Sequence, residues 1–235
     1  MTIQNATDGG GNILNAKAHK GAVTGVSWIR PGQDFVSVGA DGKVKIWKHD
    51  ASKNSWTESI SVKASDSPLT GLSVHPTGHY VVVSFENSWS FIDIRDGTSH
   101  LTQVIENAGK SIISVFAKGL IFLAITTCKI HPDGLLLGVG SDAGHVHVFD
   151  IKSNNLVHTF EGHPAGSPVN NIVFSENGYF LASSSEGENV VRIWDLRKLS
   201  NAHNIELSAP ATSVNWDHYG QYLGVVSNGH VRYAF

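Results

Sequence analysis

Two histidines of this 235-residue chain have the spacing of a metal-binding pair. His145 and His147 lie two residues apart in a segment that alternates like a β-strand, so both side chains should point to the same face of a sheet. Imidazole nitrogens can bind zinc, but a stable site needs at least three protein ligands. The sequence offers no third ligand nearby. We therefore interpret the pair as ordinary strand residues and predict no metal site.

The other residue types that could perform catalysis lack the partners that catalysis requires. Cys128 is the single cysteine, and nothing in its neighbourhood would activate the thiol, so it is predicted to be a small buried hydrophobic residue. Gly109-Lys110-Ser111 has the ending of a phosphate-binding loop, but Val104 stands where that loop requires its first glycine. Nucleophile elbows, HExxH helices and CxxC pairs are absent from the sequence. No catalytic residue and no cofactor are predicted.

The charge and hydropathy of the chain argue against two classes of partner. Lys and Arg number 17 against 20 Asp and Glu, which gives a formal net charge of −3 at pH 7 without any block of like charges. Because a phosphate backbone attracts clustered positive charge, no direct binding to nucleic acid is expected. The apolar run 111–127 is shorter than the roughly 20 residues of a membrane span and carries Lys118 at its centre, so no membrane contact is expected either.

A repeated pattern dominates the sequence and predicts the elements that position these residues. Each copy has a turn rich in Pro or Gly, a short apolar strand, a polar turn and an alternating strand that ends in an apolar, usually aromatic, residue. The copies lie near 19–48, 65–94, 128–151, 162–196 and 208–235. A unit of about 40 to 45 residues is the period of a propeller blade. One interval is longer, because an irregular insert near 110–127 interrupts the repeats.

The alternation within each copy predicts the fold. Val44 to Trp47 and Val191 to Trp194 place apolar side chains on one face of a strand and charged ones on the other. One small sheet cannot bury its apolar face alone, so successive sheets must stack. We predict an all-β propeller with about five recognisable blades over 13–235, preceded by a flexible segment, 1–12. The insert is interpreted as an extra or displaced strand, or alternatively as translated non-coding sequence from a mis-spliced transcript.

Several short motifs resemble known repeats. The sequence resembles the WD-repeat (WD40) family at three places: Gly162-His163, Trp194-Asp195, and Trp47, which follows the Asp41-Gly42 turn. Three longer runs resemble the repeats of the pre-mRNA-processing factor 19 family, a family of U-box ubiquitin ligases, and the similarity extends from about Ile13 to the C-terminus except near 110–127. These runs are HPDGL (131–135), FSENGYFLA (174–182) and WDLRKL (194–199).

The resemblance implies a function as well as a fold. Members of that family have a seven-bladed propeller after a U-box and a coiled coil, so the five repeats are expected to be an incomplete part of such a ring. The propeller would recruit splicing-complex components and ubiquitination substrates in the nucleus, in pre-mRNA splicing and DNA repair. The U-box that recruits a ubiquitin-conjugating enzyme and the coiled coil that oligomerises the family are not recognised in this sequence, so this chain is expected not to be an enzyme. Alternatives are an unrelated WD40 scaffold in signalling or chromatin and, less favoured, a propeller enzyme.

The resemblance also implies a structural network. In WD repeats a His, a Ser or Thr, an Asp and a Trp form hydrogen bonds that tie the strands of one blade together. His19, Asp41 and Trp47 match three of these positions in the first repeat, with Gly39 at the hydroxyl position. A network that lacks its hydroxyl group would be partial, so this blade is expected to be less rigid.

The fourth repeat matches the same network less literally. His163 and Trp194 occupy the histidine and tryptophan positions, and Glu188 stands near the acidic one. The repeats also depart from the Trp-Asp ending, which is Trp47-Lys48 in the first copy. No partner-binding residue is predicted from the sequence.

Overall fold

A computed structural model describes the backbone at residues 2–4, 12–15, 18–53, 55–94, 100–105 and 124–234, and the side chains at 18–53, 55–94 and 124–231. Every regular element in these ranges is a β-strand. Among the same residues there is no helix with the length and hydropathy needed to cross a membrane.

The first part of the chain forms a small hairpin and two four-stranded blades. The hairpin pairs β1 (Thr2–Gln4) with β2 (Asn12–Asn15), so residues expected to be a flexible segment include a paired strand. Blade 1 consists of β3 (Val23–Arg30), β4 (Asp34–Gly39), β5 (Lys43–Asp50) and β6 (Ser55–Lys63). Blade 2 consists of β7 (Gly71–Val74), β8 (Tyr80–Phe85), β9 (Ser88–Asp93) and β10 (His100–Ile105).

The second part forms three more blades. Blade 3 consists of β11 (Ile125–Ile130), β12 (Leu136–Ser141), β13 (His145–Asp150) and β14 (Asn155–Glu161). Blade 4 consists of β15 (Val169–Phe174), β16 (Phe180–Ser185), β17 (Val190–Asp195) and β18 (Ser200–Glu206). Blade 5 consists of β19 (Ala211–Trp216), β20 (Leu223–Ser227) and β21 (His230–Ala234). Within every blade the strands that follow one another in sequence are hydrogen-bonded neighbours, and the prediction of an all-β propeller fold with five blades is confirmed.

The insert near 110–127 lies partly inside this architecture. Ile125, Thr126 and Thr127 belong to the first strand of blade 3, where Ile125 is buried and Thr126 donates its hydroxyl to the carbonyl of Val169. Blade 3 therefore begins three residues before the repeat expected at Cys128. The remainder of the insert, up to residue 123, lies outside the described residues.

The chain forms two compact units, one of Met1–Phe85 with Ser90–Val104 and one of Glu86–Trp89 with Ile105–Phe235. In the first unit the alternating apolar residues of blade 1 pack on those of blade 2, as Val36 and Ile46 do on Val81 and Ile92. In the second unit one core lies between blades 3 and 4, and another lies between blades 4 and 5. The first strands of neighbouring blades run side by side in both units, which carries the connecting hairpins to a common edge.

Candidate functional site

The polar residues singled out in the first repeat converge inside blade 1. Nδ1 of His19 contacts a carboxylate oxygen of Asp41 at 2.8 Å, and Nε2 lies 2.9 Å from the hydroxyl of Ser37. The indole N–H of Trp47 donates to the same hydroxyl at 3.0 Å. A carboxylate accepts and an indole donates, so the Ser37 hydroxyl must accept from Trp47 and can donate to His19. The chain segment before blade 1 is thereby tied to strands β4 and β5.

Ser37, and not Gly39, holds the hydroxyl position of this network. Residues 35, 37 and 39 share one face of β4, because side chains alternate along a strand. Gly39 has a different role: a Cβ atom there would lie 2.7 Å from the ring of His19. The assignment made from the sequence was therefore two residues too far along the strand, and the network in blade 1 is complete.

Blade 4 contains the same arrangement with a longer acidic side chain. Nε2 of His163 lies 2.7 Å from the hydroxyl of Ser183, and the indole N–H of Trp194 donates to that hydroxyl at 2.8 Å. Nδ1 of His163 contacts the carboxylate of Glu188, which also accepts a hydrogen bond of 2.7 Å from Arg192. The expectation of a partial network is wrong for this blade too, because Ser183 supplies the hydroxyl.

The environment of each network shifts the pKa of one of its titratable side chains. Burial lowers the pKa of His163 below its ordinary value and outweighs the opposing contact with Glu188. Burial disfavours the charged form of Asp41, but hydrogen bonds from the Lys20 amide and from His19 hold the pKa of its carboxyl below the ordinary value. Each side chain is hydrogen-bonded to partners of its own blade, so the arrangement stabilises the blade.

The candidate metal pair meets no third ligand among the residues whose side chains the structure describes. The rings of His145 and His147 lie 5.9 Å apart, and Nδ1 of His147 is 3.0 Å from the hydroxyl of Thr159. In the portion of the chain whose side chains are described, no group of three His, Cys, Asp or Glu residues could hold a metal ion. Cys128 is buried on the first strand of the same blade.

The hairpins after the first strands of the blades in the second unit are joined to one another by hydrogen bonds. Nε2 of His131 donates to the carbonyl of Gly178, and the amide of Asn177 donates to the carbonyl of Gly220 at 3.3 Å. These bonds join the hairpins of blades 3, 4 and 5 into a row. We call this row the hairpin edge.

Exposed aromatic residues project from the hairpin edge. Tyr219 is 75% exposed, and Tyr179 and Tyr222 are also largely accessible. The guanidinium of Arg197 lies 4.4 Å from the ring centre of Tyr179, which fixes both side chains. Tyrosine and arginine are the residues that most often anchor protein interfaces. This surface was missed in the sequence because the repeat does not require aromatic residues at these positions.

The corresponding edge of the first unit contains a pocket. Where blades 1 and 2 meet, a cavity of about 380 Å³ opens between the first hairpins of the two blades. Its lining consists of Arg30, Asp34, Ile46, Lys48, Thr77, Gly78, His79 and Ile94. Three of these residues carry basic side chains.

Comparison with known proteins places the fold in a family. Residues 17–226 match the family model of the nucleolar protein 10-like N-terminal domain, a β-propeller. The chain is 35% identical over 220 residues to pre-mRNA-processing factor 19 homolog 2 of Arabidopsis thaliana, and 36% identical over 221 residues to pre-mRNA-processing factor 19 of Oryza sativa subsp. japonica. These matches cover 93% and 92% of this chain and 38% of each relative. The predicted resemblance to pre-mRNA-processing factor 19 is confirmed, and the chain spans about 38% of the length of these curated relatives.

Proposed function

Because the chain belongs to the β-propeller family of the nucleolar protein 10-like N-terminal domain, we propose that it is a non-catalytic scaffold that binds other proteins. Its role is the one that the propeller of pre-mRNA-processing factor 19 would have: recruitment of partners and ubiquitination substrates to a nuclear complex that processes pre-mRNA and also acts in DNA repair. The observation that carries this proposal is the similarity to pre-mRNA-processing factor 19, which extends over more than nine-tenths of the chain in two plant relatives.

The geometry of the second unit supports a binding function. Hydrogen bonds between neighbouring hairpins hold the hairpin edge in place, so exposed side chains are presented without a large loss of conformational entropy on binding. Tyr219 and the Tyr179–Arg197 pair are of the types that contribute most to protein interfaces. A broad surface of short hairpins on a rigid frame suits a protein partner better than a small substrate.

The same geometry supports binding without catalysis. The histidines and carboxylates of the two networks, His19, Asp41, His163 and Glu188, have largely buried side chains and are already hydrogen-bonded inside their blades. General acid–base catalysis requires a group within hydrogen-bonding reach of a substrate proton, which these buried side chains are not. We propose that ubiquitin transfer, where it occurs, belongs to another part of the assembly.

A second candidate function follows from the family description itself. The matching family is named after a nucleolar protein and not after a splicing factor. A WD-repeat scaffold of a different assembly, in signalling or chromatin, would have the same fold and other partners. The identity of the proteins that bind separates the two candidates.

The experiment is affinity purification of the tagged chain from nuclear extract, followed by mass spectrometry. We expect it to recover more of the splicing-machinery components than a tagged propeller of unrelated sequence, which is the control. An ubiquitination assay on the same eluate should show transfer only when a full-length ligase has co-purified. Recovery of nucleolar, signalling or chromatin proteins in place of splicing components would favour the second candidate. Ubiquitin transfer by the purified chain with an activating and a conjugating enzyme alone would contradict the non-catalytic assignment.

A further inference from the structure

Lys48 stands at a position where three other blades carry an aspartate. The third strands of blades 2, 3 and 4 each end in an aspartate: Asp93, Asp150 and Asp195. This aspartate is the second residue of the Trp-Asp ending and follows its aromatic or apolar residue. In blade 4, Asp195 accepts the backbone N–H groups of Arg197 and Lys198 and so closes the next hairpin. Blade 1 reverses the charge at this position.

The hairpin of blade 1 does not need the side chain of Lys48. Its third strand runs two residues further, and Asp50 accepts the N–H of Ser52 at 3.0 Å in the role that Asp195 has in blade 4. The side chain of Lys48 is exposed and forms neither a hydrogen bond nor an ion pair with any residue of the described ranges. Its ammonium group is therefore available at the mouth of the pocket between blades 1 and 2.

The pocket exists because the junction between blades 1 and 2 is not filled by a side chain in the way that the junction between blades 3 and 4 is. In the second unit, the ring of His131 fills the space beside Gly178 so closely that a Cβ atom on this glycine would lie 2.9 Å from it. Blade 1 has Arg30 at the position of His131, and Arg30 turns back to Asp34 through its Nε at 2.8 Å. The hairpin of blade 2, at Gly78, thus receives no side chain from the position of Arg30. Its nearest neighbour in blade 1 is Cγ2 of Ile29, 3.6 Å from where a Cβ atom on Gly78 would lie, and the cavity remains open.

The charge of the pocket favours an anionic group. Asp34 is largely buried and is neutralised by Arg30, so it contributes little net charge. Lys48 stands opposite Asp34 in the register of β4 and β5 but forms no ion pair within the described residues, and Arg30 and His79 lie on the same lining with further N–H donors. The hydroxyl of Thr77 adds a polar group at the rim. A cavity of about 380 Å³ is large enough for one acidic side chain and the peptide groups beside it.

We propose that this pocket is a docking site for an acidic peptide segment of a protein partner, with one Asp or Glu carboxylate bound between Lys48 and Arg30. A peptide fits better than a nucleic acid, because a phosphate backbone requires an extended track of positive charge and the chain has a net charge of −3. The proposal rests on the proposed function in taking the chain to be a protein scaffold, and it adds the place and the chemistry of one contact.

The test uses the whole chain labelled with ¹⁵N and two peptides of equal length, one rich in Glu and Asp and the other with Gln and Asn in their place. The acidic peptide is expected to shift the amide signals of Thr77, Gly78 and His79, and the amide peptide is expected not to. Lys48→Glu should weaken binding of the acidic peptide at least tenfold. Lys63→Glu is the matched control, because it makes the same change in net charge on another exposed lysine. Lys63 lies on β6 opposite Lys43, the first residue of β5, whereas Lys48 lies near the end of β5. Lys63→Glu should change binding less than twofold.

Several outcomes would overturn the proposal. They are equal binding of both peptides, unchanged binding to the Lys48→Glu variant, or signal shifts with inorganic phosphate but not with the acidic peptide. A phosphorylated peptide that binds tenfold more tightly than the acidic one would also overturn it, in favour of a phosphate site. The affinity purification separates this proposal from the scaffold function. If Lys48→Glu recovers the same splicing components as the unchanged chain and the peptide does not bind, the scaffold function stands and the pocket assignment fails.

Discussion

Replacement of Ser183 by alanine is expected to lower the free energy of unfolding of the second unit by about 2 to 4 kcal/mol. The side chain is fully buried and is shared by two partners, since it accepts from the indole of Trp194 and contacts Nε2 of His163. Alanine would leave both nitrogens buried without a partner, and each such group costs about 1 to 3 kcal/mol. The loss should therefore exceed that of a single hydrogen bond.

Ser90 provides the matched control. It is as deeply buried as Ser183, but its hydroxyl has no hydrogen-bond partner in the part of the chain that the structure describes. Ser90→Ala should change stability by less than about 1 kcal/mol, because it removes a hydroxyl that bonds nothing. Urea unfolding followed by tryptophan fluorescence would measure both variants, and hydrogen exchange of the blade 4 strands would localise the effect. Equal losses for the two variants would show that Ser183 matters for its volume and not for its bonds.

The sequence predicted the members of these networks that belong to short motifs, and it failed for the member that depends on strand register. His19, Asp41 and Trp47 can be read from a turn and a strand ending, which are local features. The hydroxyl that connects them lies in the middle of β4, and its place depends on how β4 pairs with β5. Ser37 and Gly39 share a face, so alternation alone cannot distinguish them. The distinction needs the position of the ring of His19, which comes from a distant segment.

Blade 4 shows a related limit. Glu188 takes the acidic position although the polar turn before its strand differs in length and composition from that of blade 1. The glutamate makes the contact with His163 that Asp41 makes with His19, so the arrangement is preserved in the structure although the residue type differs. The sequence placed Glu188 near the acidic position, and only the structure shows the contact.

The pocket beside Lys48 was beyond the reach of sequence analysis for a different reason. The departure from the Trp-Asp ending was visible at Trp47-Lys48, but its meaning was not. A cavity depends on which side chains of two neighbouring blades fail to meet, here Arg30 of blade 1 and the hairpin at Gly78 of blade 2. Residues so far apart in the chain are brought together by the stacking of blades, which the repeat predicts in general but not in detail.

The two histidines of blade 3 illustrate the opposite case, in which a feature considered for function has a consequence for stability. His147 is only 1% exposed, and its Nε2 has no hydrogen-bond partner within the described ranges. Burial, together with the positive charge that His145 can carry, lowers the pKa of His147 from 6.5 to about 4. A histidine that must remain neutral to stay buried makes the fold sensitive to acid.

The stability of the second unit is therefore expected to fall as the pH is lowered from 7 to 4, with a contribution from His147 of about 3 kcal/mol over this range and roughly 2 kcal/mol by pH 5. Well above pH 6.5, near pH 8, His147 is neutral in the folded and unfolded states, so it makes almost no contribution to the pH dependence there. Between pH 6.5 and about 4 the unfolded chain binds a proton that the folded chain does not, which favours unfolding. The lowered pKa of His163 acts in the same direction.

His147→Leu should remove this part of the pH dependence, because leucine does not titrate and fits a buried position. The measurement is the free energy of unfolding at pH 8, 6.5 and 5 for the unchanged chain and the variant, with attention to the difference in slope and not to the stability at one pH. His203→Leu, which removes an exposed histidine of blade 4, is the control and should keep the slope of the unchanged chain. If His147→Leu keeps that slope as well, the acid sensitivity arises elsewhere, and water must reach the imidazole of His147 in the folded chain.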